Sequence, residues 1–133
     1  MKTWDVLGLG CVAVDDLLYV PSFPAADTKL QVLKYERQCG GITGTALVTA
    51  ARLGARCAFA GLLGLDELSG VIEENFLQEG VDVSFAPRSK DARALHAVIV
   101  VGMETASRNI FYRIDGRVGA DDRLPEESII QSA

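Results

Sequence analysis

Histidine is nearly absent from this 133-residue chain, which has one, and cysteine is scarce, with three. Cys11, Cys39 and Cys57 stand among apolar residues or glycine, with no C-x-x-C spacing and no Cys/His pairing. The odd count argues against a disulfide framework, and the missing pairs argue against a zinc site, so no metal ligand is assigned in the chain. The thiols read as reduced and buried. Basic clusters are also missing: no group of Lys or Arg is longer than a pair, and the net charge is −5. That balance argues against nucleic acid or an anionic membrane as the main partner. No apolar run reaches the length of a membrane span, and the start M-K-T-W-D-V-L-G-L-G has no long apolar core of a signal peptide. A cytoplasmic protein is expected, with no membrane partner.

What is present is an ordinary globular balance, 49% hydrophobic and 23% charged, enough to give residues 1–133 a single core. Trp4 to Val14 reads as a buried strand, and Leu17 to Val20 continues it after Asp15 and Asp16. Thr28 to Gln38 alternates polar and apolar with a phase slip between Val32 and Leu33, the pattern of a half-exposed strand with a bulge. Thr43 to Leu53 is a helix of Ala, Leu, Val and Thr, expected to be buried on most sides, with Gly54 just past its end. Cys57 to Leu63 is a second core strand. Asp66 caps an amphipathic helix through Glu79, with Leu68, Val71, Ile72 and Phe76 on its apolar face and Gly80 ending it. Further strands are expected at Val81 to Phe85, Leu95 to Val101 and Asn109 to Tyr112, and Leu124 to Ser132 opens as a helix. This order implies a mostly parallel α/β core plus a strand excursion outside the core layers.

Two places carry candidate chemistry. Gly8-Leu9-Gly10 with Ala13 is a literal G-x-G-x-x-A, the outline of a dinucleotide-binding turn. The segment after it, C-V-A-V-D-D-L-L-Y-V, is β-branched and extended where that site needs a helix, which makes a dinucleotide-binding oxidoreductase the lesser alternative. The second place is C-G-G-I-T-G-T-A-L-V-T-A-A-R-L-G, Cys39 to Gly54. Its two glycines allow close approach to backbone, and the helix after them aims N–H groups at the same loop, a corner suited to a polyol or an anion. Asp15, at the C-terminal end of the first expected strand, has a carboxylate able to accept from two neighbouring hydroxyls.

Together, G-C-V-A-V-D (Gly10 to Asp15), the di-glycine block and G-L-L-G-L-D-E-L-S-G (Gly61 to Gly70) resemble the N-terminal half of the ribokinase-like, PfkB-type carbohydrate kinases, and E-G-V-D-V at Glu79 to Val83 follows in the same order. The resemblance runs from about Trp4 to the end. It implies a ribokinase-like three-layer α/β/α core with a mostly parallel sheet and a small β lid, with lid strands at approximately 16–20 and 28–38, the chain being an N-terminal part of one such domain. It implies an ATP-dependent sugar or nucleoside kinase, with Asp15 accepting from substrate hydroxyls and Gly40 and Gly41 contacting the sugar and acting as a hinge for lid closure. A homodimer through the lid is implied as well. Thr45 stands where many members carry asparagine, and is assigned to the substrate site; Leu65 and Ser69 also depart from the common pattern. Arg108 is a weaker site candidate, while Lys29 and His96 read as ordinary solvated or strand residues.

In the resembling family a late G-A-G-D carries the general base, and ATP and Mg²⁺ bind nearby. Gly119-Ala120-Asp121-Asp122 lacks the second glycine and falls too early, so no catalytic residue is assigned and the base is expected beyond Ala133. A stand-alone carbohydrate-binding or regulatory module derived from such a kinase is the other alternative.

Overall fold

A computed structural model describes residues 2–121 and 125–133. Asp122 and Leu124, which belong to the expected Gly119–Asp122 stretch and to the expected start of the last helix, lie outside the described residues.

Three parallel strands, β1 (Val6–Gly8), β4 (Cys57–Phe59) and β5 (Val81–Asp82), form one sheet in the order β1-β4-β5. Helix α1 (Ile42–Arg52) packs on β1 and β4, and α2 (Glu67–Gln78) packs on β5. A second sheet has the order β3-β2-β6-β7, built from β2 (Ala13–Val20), β3 (Lys34–Gly40), β6 (Leu95–Gly102) and β7 (Ser107–Arg113). In it β2 runs antiparallel to β3 and parallel to β6, and β6 and β7 are an antiparallel hairpin. A short α3 (Glu127–Gln131) returns to the start of the chain, where the Thr3 and Trp4 N–H groups donate to the Ser132 carbonyl.

The expected strand from Trp4 to Val14 is therefore two strands in two sheets. The break is at Gly10, whose φ of 147° lies in the region that favours glycine, and a Cβ there would drive into the Thr43 hydroxyl. Asp15 accordingly sits inside β2 of the second sheet, not at the end of a core strand. A helix after the glycines, which a dinucleotide site requires, does not form; β2 stands in its place.

Other boundaries shift for local reasons. The phase slip at Val32–Leu33 marks where β3 is about to begin, not a bulge: pairing starts with the Leu33 N–H donating to the Tyr19 carbonyl, and the exposed residues before it are irregular. The strands expected at 16–20 and 28–38 thus run over 13–20 and 34–40, and β6 and β7 complete the same sheet. Helix α1 is less buried than its composition implies. Only Gly44 and Leu47 are buried, because α1 is covered on its sheet side alone. In α2 the apolar face is as expected, with Ile72 and Phe76 buried and Leu68 and Val71 packed beside them. The core joins Val12, Val14, Leu47, Phe59, Phe76 and Val81, with the Phe59 and Phe76 rings 5.1 Å apart. Of the thiols, Cys57 is buried as expected, whereas Cys11 and Cys39 are half-buried.

Candidate functional site

Strand β2 alternates its side chains between the two faces of the sheet, so the adjacent Asp15 and Asp16 point opposite ways. Asp16 is buried and fully engaged. The Tyr35 hydroxyl donates to its Oδ1 at 2.7 Å, Arg37 donates from Nε to Oδ1 at 2.7 Å and from Nη2 to Oδ2 at 3.0 Å, and His96 Nε2 lies 2.8 Å from Oδ2. These bonds, Arg37's first, hold its carboxyl well below the usual carboxylate range against the opposing effect of burial. Asp15 is the reverse case: half-buried, and without a hydrogen bond or ion pair among the described residues. Burial first, and the Asp16 charge second, push its carboxyl up, while His96 pulls it back.

The carboxylate of Asp15 lies over Gly40. A Cβ at Gly40 would stand 2.8 Å from Asp15 Oδ2, so only a bare residue leaves that oxygen where it is. Gly41 has φ 86°, and a Cβ there would meet the Cys11 carbonyl oxygen and the Val12 Cα, each at 2.7 Å. The corner between β3 and α1 is thus pressed against the 11–13 backbone. The Cys11 carbonyl also accepts from the Thr43 N–H at 3.2 Å, so part of the helix start expected to face a ligand is already used. Burial and then the Asp15 charge push the Cys11 and Cys39 thiols up, which keeps both protonated at neutral pH.

Thr45 is exposed on α1 and its side chain shares a cleft with Gly40. That cleft, of about 670 Å³, lies between the end of β3 and helices α1 and α2, and Asp15 is not on its wall. Gly40, and Gln38 opposite Asp15 in the β2–β3 register, border both regions. Arg108 is exposed at the second position of β7. Its register neighbour is Val101, beside Tyr19, whereas Ala97 is the neighbour of Asp15, so Arg108 stands four residues, about 13 Å along the strands, from the Asp15 row. The structure joins Asp15 to Gly40 and Gly41, places Thr45 around the corner, and leaves Arg108 apart.

The model of the pfkB family carbohydrate kinases matches residues 5–125, which takes in both sheets and the turn from β3 into α1. The chain belongs to that family. Mouse ketohexokinase is 30% identical over 110 residues, which is 83% of this chain and 37% of the mouse protein. A provisionally assigned ribokinase from Agrobacterium tumefaciens has a crystal structure that superposes with a TM-score of 0.83 at 24% identity, covering 95% of this chain and 41% of that one. Ribokinase from Cryptococcus neoformans var. grubii, solved in complex with ADP, gives a TM-score of 0.69 at 21% identity over 94% of this chain and 38% of that one. The pfkB-family chain therefore spans well under half the length of these relatives. Its architecture is that of a partial ribokinase-like fold.

Among the described residues of this pfkB-family chain, no group of three His, Cys, Asp or Glu is placed to hold a metal ion. No helix among them is long and apolar enough to cross a membrane. Sequence reasoning did not foresee that Tyr35, Arg37 and His96, the last read as an ordinary strand residue, surround the buried Asp16 carboxylate on the sheet face opposite Asp15. The signal available was the register itself: Asp16 opposite Arg37 and Val14 opposite His96 put these residues on one face once the strands are paired.

Proposed function

We propose that this chain is the sugar-recognising part of an ATP-dependent kinase that transfers the γ-phosphoryl group to a hydroxyl of a sugar or nucleoside. The observation that carries the reading is Asp15: an unpaired, half-buried carboxylate held over Gly40 in a pfkB-family chain. An ionised carboxylate is acceptor-only and takes hydrogen bonds from neighbouring hydroxyls, the pattern that a polyol presents. Gly40 and Gly41 leave the backbone open to a sugar and form a hinge between the second sheet and α1, so that the sheet acts as a lid excluding water. Thr45 lines the approach beside Gly40 with a single hydroxyl, and Arg108 is a distant contact made on closure. ATP, Mg²⁺ and the general base belong to the part of the family's length that this chain does not span. In this reading the protein is cytoplasmic, and copies pair through the second sheet.

The test is thermal-shift titration with D-ribose, D-fructose, adenosine and NAD. At least one sugar or the nucleoside is expected to raise the melting temperature, and Asp15→Ala to abolish that rise. Stabilisation by NAD alone, or an Asp15→Ala protein that responds like the parent, would overturn the proposal.

A further inference from the structure

We infer that Gln38 is a second substrate-binding residue, supplying the hydrogen-bond donor that Asp15 lacks, and that the two together read one pair of neighbouring sugar hydroxyls. The inference rests on the sugar-binding reading of Asp15.

The register places Gln38 directly opposite Asp15 across the β2–β3 pair. Two contacts on either side of it fix the face. Two residues earlier, Glu36 accepts from the Tyr19 hydroxyl at 2.8 Å; Tyr19 shares a face with Asp15, four residues along β2. Two residues later, Gly40 points its Cα–Cβ direction at Asp15 Oδ2. Gln38 lies between them in the same alternation and so projects on the Asp15 face, with its Cβ about 5 Å from that of Asp15.

On this face of β3 the neighbours are committed. Lys34 pairs with Glu36 at 2.6 Å and lies over the Tyr19 ring, Glu36 serves both Lys34 and Tyr19, and Gly40 has no side chain. Gln38 is exposed and its amide has no partner among the described residues. It is the one β3 side chain on this face with both a donor and an acceptor to offer.

The chemistry of the pair is complementary. A sugar hydroxyl both donates and accepts, whereas a carboxylate only accepts. With Asp15 alone, each hydroxyl oxygen facing it would lose water as a donor without replacement. The Gln38 amide nitrogen donates to that oxygen while the hydroxyl proton goes to Asp15, and the amide oxygen accepts from the adjacent hydroxyl. A site of this kind discriminates against a deoxy sugar, because removing one hydroxyl leaves polar groups unpaired.

The experiment compares the parent chain, Gln38→Ala, Gln38→Glu and Asp15→Ala by calorimetric titration with D-ribose and D-fructose. Gln38→Ala is expected to keep the parent melting temperature, since the side chain is exposed, and to weaken the better-bound sugar about tenfold, the worth of one hydrogen bond made without compensation. Gln38→Glu is expected to weaken it further at neutral pH, by setting a second carboxylate opposite Asp15, and to regain affinity as the pH falls. Gln38→Ala binding within about twofold of the parent, while Asp15→Ala abolishes binding, overturns the Gln38 assignment alone. If the parent binds neither sugar, the Gln38 inference fails; if Asp15→Ala binds as well as the parent, the reading of Asp15 fails and the inference with it.

Discussion

Asp15 and Asp16 are one bond apart in the chain and opposite in environment, and the pleat of β2 is the cause. Asp16 is ionised, buried and bonded by three side chains, so its folded-state pKa lies below its unfolded value. Its contribution to stability is therefore fully present above the ordinary carboxylate pKa and is lost as the pH falls through the depressed folded value. Asp16→Ala is expected to cost about 2 kcal/mol at neutral pH, at the low end for a broken buried pair because Arg37 and His96 are partly exposed and can rehydrate. Urea unfolding at neutral pH and in acid measures both the cost and its loss in acid; a difference that stays constant with pH would refute the account. For Asp15 the sign reverses. Its raised pKa means that the folded state binds a proton more readily, so stability improves as the pH falls through that value, while an acceptor for hydroxyls is lost. Asp15 was legible in the sequence as a candidate because its motif is local. The partners of Asp16 were not, since they are 19, 21 and 80 residues away and only strand pairing brings them together.

At the scale of elements, the turn from β3 through Gly40 and Gly41 into α1 separates two glycines that look equivalent in sequence. Gly41 needs its backbone conformation: φ 86° is costly for any L-residue, and a Cβ would strike backbone that cannot move aside. Gly41→Ala is expected to destabilise the chain by more than about 2 kcal/mol. Gly40 needs only its bareness. Its φ is ordinary for a strand, and the atom that a Cβ would meet is the end of the Asp15 side chain. Gly40→Ala is expected to stay within about 1 kcal/mol of the parent, since alanine is better tolerated than glycine in a strand, while sugar binding falls because Asp15 is displaced. Parallel denaturation and sugar titration of the two variants check this, and a Gly40→Ala protein that binds sugar normally would show that the carboxylate need not lie where it does. Local signals of this kind explain what the sequence disclosed: Gly54 and Gly80 end α1 and α2 as expected, with φ of 95° and 75°. The change of sheet at Gly10 was hidden, because a glycine within an apolar run reads equally as strand interior.

Over the whole molecule the two sheets differ in what holds them. The β1-β4-β5 sheet lies under both helices, and all three residues of β4 are fully buried. The second sheet shares that core only near Val12 and Val14, and every residue of β7 is exposed, including Phe111 at 59% and Tyr112 at 68%. An edge strand with both faces and one row of backbone groups open to water gains little from burial and invites pairing. Opening of such a strand costs far less than global unfolding, so amide exchange must be graded across the molecule. Native-state hydrogen exchange in dilute solution is expected to find Cys57–Phe59 among the slowest amides and Ser107–Arg113 among the fastest. Protection of Ser107–Arg113 that rises with protein concentration, while Cys57–Phe59 stays unchanged, is the expected mark of copies pairing through the second sheet. Equal and concentration-independent protection of the two strands would contradict both the division of the fold and the proposed pairing through the exposed edge.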